Sequence, residues 1–455
     1  MDQVTALINL LESLEILILG FGKEGKSTYQ FIRNHLPDKR LTISDQQAFE
    51  VEDQFVESYI GEVDANFLNQ FDLIIKSPGV STKKWADQVP TEKISSQTDL
   101  FLRFWGAQTV GITGTKGKSS TSSLLHHILV HNQQKSLLGG NIGTPLFDII
   151  PKIKKDTIIV AELSAHQLQY LSKAPHIGII LNLYQEHLDH FQDLTAYHSA
   201  KLNMALKQRE GDFLIYHYDN QQLKERLAHS QHISTLLPYG EKSSEQLFGW
   251  IEGETISIRN ENNIVENQPL KSLPGLAGKH NLYNLLAASL AASRLGISLE
   301  KSIEAAYSFK GLPHRIEFVA TLEGVSYYND SISTIPEATI SALETLNFVE
   351  TLILGGMDRS IDYTPLYQYL NRHPVKNIAL MGDAGRRIYQ EWGESASDIE
   401  KFLISNNLSD VVRFCKKETS TGKICLLSPA AASYGLFKNF EDRGDQFKMI
   451  ILQND

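Results

Sequence analysis

The sequence predicts an α/β protein built of three units in which short buried strands alternate with helices. Three observations carry the prediction. Short apolar runs recur and end in glycine, serine, asparagine or acidic residues, the pattern of parallel strands whose carboxyl ends meet a ligand. Two of these ends pass through glycine-rich turns into helical spacing, Gly20-x-Gly22-x-x-Gly25 and Gly114-x-x-Gly117-Lys118-Ser119. With 455 residues, the chain is long enough for two or three domains with separate cores, and three is the preferred count.

In the first unit, Leu14 to Leu19 reads as a strand feeding the glycine turn at Gly20. A second strand, Leu41 to Ser44, ends in Asp45, twenty positions after Gly25, where a ribose-binding acid would sit. A third, Leu73 to Lys76, ends in Ser77-Pro78-Gly79. Together they predict a nucleotide-diphosphate pocket, with a purely structural turn as the alternative. A sugar nucleotide would use the same turn as a dinucleotide.

The second unit centres on Gly111 to Ser120, between a strand at Thr109-Val110 and a helix from Thr121 to Val130. Glycines let backbone N–H groups converge on phosphate oxygens, Lys118 can reach the outer phosphates, and Ser119 can ligate Mg²⁺. The motif is shorter than the common G-x-x-x-x-G-K-[ST], because Gly111 lies one position too far from Gly117, so a chance turn is the alternative. This predicts a central P-loop ATPase-type parallel sheet between two Rossmann-like units.

Downstream, Gly139 to Pro145 is another glycine-rich turn, and Thr157 to Val160 is a strand running into Glu162. Glu162 is either a Mg²⁺ ligand or a solvent-facing carboxylate. The strand Ile179 to Leu183 leads to His187 and His190, whose spacing invites zinc, but no cysteine accompanies them and no H-E-x-x-H is present. His187 joining a Mg²⁺ shell is the stronger reading, beside a packed or exposed histidine. Lys201 reads locally as a solvated helix lysine. Asn281 and Asn284, three apart at the start of an Ala/Leu-rich helix, either face one ligand or cap the helix.

Gly311-Leu312-Pro313-His314-Arg315 reads as a hinge, after which strands at Val325 to Asn329, Thr351 to Leu354, Ile378 to Gly382 and Lys423 to Ser428 repeat the alternation. The predicted domains are 1–107, 108–311 and 312–455.

Composition excludes other classes. Hydrophobic residues make up 42% and charged residues 21%, ordinary for a soluble protein, and no apolar run approaches the roughly 18 residues a membrane span requires. The start lacks a basic, cleavable leader. Cys415 and Cys425 have no metal-site spacing, which fits a reducing cytoplasm. A net charge of −10 argues against nucleic acid as a general partner, although a cleft for anionic substrates can still be locally basic.

Gly111 to Ser120, Gly140-Asn141-Ile142-Gly143, Glu162-Leu163-Ser164, Glu186-His187-Leu188-Asp189, His280-Asn281-x-x-Asn284, Gly311 to Arg315, Asn329-Asp330-Ser331, and Leu427 to Ala430 with Lys438-Asn439-Phe440-Glu441-x-Arg443-Gly444-Asp445 together resemble the Mur ligases over nearly the whole chain. The last block is most similar to the glutamate-adding branch. The resemblance implies an enzyme that uses ATP to join D-glutamate to UDP-N-acetylmuramoyl-L-alanine (UDP-MurNAc-L-Ala) in peptidoglycan synthesis, through an acyl phosphate. It implies a UDP-binding first domain, an ATP-binding second and a glutamate-binding third.

Carried over by position, ATP would meet Gly114, Thr115, Lys116, Gly117, Lys118, Ser119, Ser120, Asn281, Asn284, Arg315 and Asp330. Ser119 and Glu162 would hold one Mg²⁺, with His187 and a carbamylated Lys201 serving a second. Gly22, Lys23, Glu24, Asp45, Gly79, Asn141, Ser164 and Gln167 would hold the UDP-sugar. Thr334, Arg359, Ser433 and the backbone at Phe440 would hold glutamate.

Two departures stand out. Ile332 and Ile335 replace the Lys and Asn of the family pattern, and Pro336 follows. This wording is similar to a branch that adds L-glutamate, which is the alternative substrate. Members adding diaminopimelate or lysine are disfavoured by the lack of Asp-Asn-Pro, and folylpolyglutamate synthetases would not need the first unit. A silent P-loop binding module is the reading from a different class, and the intact Lys118, Ser119, Glu162, His187 and Lys201 oppose it. A monomer whose third domain swings on the hinge is expected.

Overall fold

Five parallel strands open the molecule: β1 (Ile16–Leu19), β2 (Leu41–Asp45), β3 (Val56–Ile60), β4 (Leu73–Lys76) and β5 (Ile94–Ser95), in the order β3-β2-β1-β4-β5. This computed structural model describes residues 2–184, 191, 193–260, 262–271, 273–276, 278–393, 396 and 398–453. Strand order reverses at β1, so its carboxyl end, Gly20, opens at the switch point where parallel sheets bind ligands. The residues of β1 are buried on both faces, which is why the run carries no alternation.

A nine-stranded sheet follows, with β6 (Thr109–Thr113), β7 (Ser136–Gly140), β8 (Ile158–Glu162), β9 (Ile177–Ile180), β10 (Phe213–His217), β11 (Thr235–Gly240), β12 (Gly249–Glu252), β13 (Thr255–Arg259) and β14 (Val265–Pro269). Its order is β14-β13-β12-β11-β10-β9-β6-β8-β7. It is not wholly parallel as expected: β13 runs antiparallel to β12 and β14. The cause is local. Gly253-Glu254 is a two-residue connection with Gly253 at φ +58°, and so short a loop can only make a hairpin.

These two sheets lie in one compact unit, Met1–Lys271 with Leu282–Ala306. They share a continuous core in which Phe31 and Phe147 approach to 4.8 Å between ring centroids. The helix Lys118–His131 buries Leu124, Leu125, Ile128 and Leu129, one apolar stripe at helical spacing.

The second unit, Ser272–Asn281 with Tyr307–Asp455, holds β15 (Glu317–Leu322), β16 (Val325–Asn329), β17 (Val349–Gly355), β18 (Asn377–Met381), β19 (Lys401–Ile404) and β20 (Ile424–Leu427). The order is β15-β16-β20-β17-β18-β19, with β15 antiparallel and the others parallel. Glu323 and Gly324, both at positive φ, form the hairpin turn that reverses β15 into β16. Among the described residues no helix is long and apolar enough to cross a membrane.

Candidate active site

In the first unit the glycine-rich loop leaves the carboxyl end of β6, which lies between β8 and β9, third from the β7 edge of its sheet. Gly117, at φ +86°, turns the chain into the helix Lys118–His131. A Cβ there would meet Asn284 Oδ1 at 2.7 Å, so glycine is what lets Asn284 approach the loop. Asn182, just past β9, accepts from the N–H groups of Thr115 and Lys116, both at 2.9 Å, and pins the loop. Lys118 folds back and donates to Gly114 O and Thr115 O, both at 3.0 Å, which holds its ammonium over the cradle. Ser119 and Ser120 are half-buried at the helix start.

Glu162 closes β8 opposite Ile112 of β6, and at 1% exposure it is not the solvent-facing carboxylate of the alternative reading. Asn141 Nδ2 donates to its Oε1 at 2.6 Å, and Asn141 N donates to its backbone oxygen at 2.9 Å. Its Oε2 is buried and has no hydrogen-bond partner among the described residues. A carboxylate oxygen is costly to bury unpaired, so the environment of Glu162 fits a hard divalent cation.

Gly140, at φ +101°, sits so close that a Cβ would lie 2.3 Å from Glu162 O. Gly140→Ala is therefore expected to cost at least about 2 kcal/mol, read as a lower Tm in thermal unfolding. An unchanged Tm would mean that β7 and β8 are not held this tightly.

Lys201, on the helix Leu194–Leu206, overturns its local reading as a solvated lysine. It is 1% exposed, donates to Gly114 O at 2.9 Å and lies 4.6 Å from the centroid of the Tyr197 ring. His187 and His190 lie outside the described residues.

A cavity of about 820 Å³ brings together Gly22, Lys23, Glu24, Asp45, Gly79 and Asn141. Asp45 fixes the glycine turn, accepting from Phe21 N at 2.6 Å and Gln47 N at 2.9 Å. Lys23 Nζ donates to Gly143 O, joining the turns of the two sheets. Ser164 and Gln167 form a capping box, and Gln167 Nε2 reaches back to Glu24 Oε1 at 2.6 Å.

Burial pushes Glu24 up to about 7, against the pull of Gln167 and Lys76. Burial also lowers Lys76 to about 8, against Glu24. Lys76 was not among the expected site residues. The signal for it was a lysine ending the apolar run Leu73-Ile74-Ile75.

In the second unit the carboxyl ends of β16, β20 and β17 are neighbours. Asp330 accepts from Ser428 Oγ at 2.7 Å and Ile316 N at 3.1 Å. Burial lifts it to about 6, opposed by Ser333, Ser428, the Ile316 N–H and Arg315. Thr334 is half-buried, Ser433 buried and Arg359 exposed, on the loops after β16, β20 and β17 respectively. Ile332 is half-buried and Ile335 exposed. Asn281, whose N–H bonds Gly278 O at 3.0 Å, and Arg315 belong to this second unit.

Arg443 was also missed as a positioning residue. At 1% exposure it donates to Ser331 Oγ (2.9 Å), Ser331 O (2.8 Å) and Ala431 O (3.1 Å), while Ser331 Oγ donates to Phe440 O at 2.8 Å. One guanidinium thus fastens the loops after β16 and β20 to the helix Phe440–Leu452, and burial lowers it to about 10.

Two family models match: the Mur ligase middle domain over residues 112–292, and the Mur ligase MurD-like N-terminal domain over residues 14–92. The chain is 31% identical to UDP-N-acetylmuramoylalanine--D-glutamate ligase of Clostridium tetani, covering 98% of this chain and 93% of that one. The same-named protein of Clostridium kluyveri is 32% identical, over 89% and 88%.

Among solved structures, the MurF ligase of Thermotoga maritima in complex with ADP aligns with a TM-score of 0.53 at 16% identity, over 99% of each chain. The UDP-N-acetylmuramate-alanine ligase MurC of Thermotoga maritima aligns at 0.52 and 18%, over 95% and 98%. At these identities the structures speak for the fold.

Proposed function

The chain belongs to the Mur ligase family and is an ATP-dependent ligase, and from that premise we propose that it adds D-glutamate to UDP-MurNAc-L-Ala in peptidoglycan precursor synthesis. The observation that carries the chemistry is a buried carboxylate oxygen of Glu162 without a partner among the described residues, on the strand beside the one that feeds the phosphate loop. The choice of amino acid is supported by likeness to relatives named for D-glutamate over nearly the full chain.

In this reading residues 1–107 hold the UDP-sugar, 108–311 hold ATP and 312–455 bring glutamate. The substrate carboxylate attacks the γ-phosphorus of ATP and ADP leaves, giving an acyl phosphate. The glutamate amine then attacks that carbonyl, phosphate departs from the tetrahedral intermediate, and an amide remains. Lys118 and the loop N–H groups take up charge on the transferring oxygens. Ser119 and Glu162 would hold one Mg²⁺, with His187 and carbamylated Lys201 for a second. Magnesium supplies charge neutralisation at the phosphates. Asn281, Asn284, Arg315 and Asp330 orient the nucleotide, and Thr334, Arg359, Ser433 and Phe440 orient glutamate. The enzyme works as a monomer in the cytoplasm.

A second reading, transfer of L-glutamate, is favoured by one observation: Ile332 and Ile335 stand where the family pattern has Lys and Asn. Either enantiomer offers one amine and two carboxylates. Phosphate release from ATP with UDP-MurNAc-L-Ala, Mg²⁺ and one enantiomer at a time decides between them. Faster release with D-glutamate is expected. Preference for L-glutamate overturns the first reading in favour of the second, and no turnover with either sinks both.

A further inference from the structure

Glu24 occupies an odd place for an acid. It lies in the first turn of the helix Lys23–His35, where N–H groups without helical partners and the helix dipole favour an anionic ligand. A diphosphate entering the cavity therefore meets a carboxyl already there. Glu24 Oε1 is taken by Gln167 Nε2 at 2.6 Å, whereas Oε2 is buried and has no hydrogen-bond partner among the described residues. Buried Lys76 does not supply that partner, since its ammonium donates to Val80 O at 2.9 Å and Ser77 O at 3.1 Å. The other charged groups lining the cavity are Lys23, Asp45, Glu62, Lys83 and Lys84. An ionised Glu24 would repel a diphosphate and leave Oε2 unpaired, whereas a protonated one turns the same oxygen into a donor.

We propose that the sugar nucleotide binds with Glu24 as a neutral carboxylic acid, so that no negative charge faces the diphosphate in the cavity between the two glycine turns. This rests on the reading of that cavity as the UDP-sugar site. The high proton affinity that burial confers on Glu24, at about 7, means that near neutral pH the chain without nucleotide is a mixture of the two forms. Binding then takes up a proton. The diphosphate of a UDP-sugar is esterified at both ends and holds no proton in this range, so the proton enters on the protein.

Isothermal titration of the full chain with UDP-MurNAc-L-Ala at pH 7, in phosphate and in Tris buffer, reads this uptake directly. Uptake of about half a proton is expected, with affinity falling up to tenfold per pH unit above neutrality as Glu24 ionises. Glu24→Gln keeps a donor and the fold, and should show no buffer-dependent heat and a flat affinity between pH 7 and 9.

A wild type that binds without proton uptake, or a Glu24→Gln chain that keeps the uptake, overturns the proposal and leaves the cavity assignment standing. Gly79→Trp separates the two questions. A Cβ at Gly79 meets nothing within 4 Å, so a side chain can start from this lining position without a clash at its root. Undiminished binding by Gly79→Trp would overturn the cavity assignment, and the proposal with it.

Discussion

Lys118→Ala is expected to lower kcat by about 10²–10³, the cost of deleting one preorganised charge-stabilising group. The ammonium is held over the phosphate loop by two carbonyls of that loop, Gly114 O and Thr115 O, so it is in place before ATP arrives. A charge fixed in advance in this way lowers a barrier without reorganisation during the step. Single-turnover phosphate release at saturating ATP and UDP-MurNAc-L-Ala measures the loss. A drop of less than tenfold would remove Lys118 from the chemistry.

Glu162→Gln is expected to lower the rate by about 10² or more and to raise the Mg²⁺ concentration needed for half-maximal activity by a larger factor than Asn141→Ala. The amide retains a carbonyl oxygen for Asn141, which now donates at 2.6 Å, but it replaces the partnerless Oε2 with a group that carries no charge for a cation. Asn141 orients that carboxylate, and loss of such a partner typically costs 10–100-fold in metal affinity. The same contact implies a trade against stability. With Oε2 buried and without a partner among the described residues, Glu162→Gln should leave Tm in chelator unchanged or higher, since a buried carboxylate oxygen is replaced by an uncharged group. Equal Mg²⁺ dependence in wild type and Glu162→Gln would take Glu162 out of the metal shell.

Much of the site was readable because its chemistry is local. The phosphate loop, Glu162 at a strand end and the glycine turn at Gly20 each declare themselves within about ten residues of chain, where apolar runs and glycine spacing dictate a strand, a turn and a helix start. Other elements were quiet. The strand β7 is Ser136–Gly140, whose two glycines read as a turn, and β3 is an edge strand with mostly exposed residues and no apolar run. The hairpin reversals of β13 and β15 depend on two-residue turns that break an otherwise parallel alternation.

What the chain determines by itself is the inventory: an α/β alternation, a lysine in a glycine-rich loop, carboxylates at strand ends, and the motif set that marks a Mur ligase. What only the tertiary structure decided is which of these groups are buried and how they are paired. Lys201 looks like a solvated helix lysine until the loop carbonyl of Gly114, 87 residues away, is found at its ammonium. Glu24 and Gln167 stand 143 residues apart, and Arg443 lies 112 from Ser331. Desolvation and hydrogen-bond pairing set the charge state of each such group. Both arise from contacts between segments far apart in the chain, which no local pattern encodes.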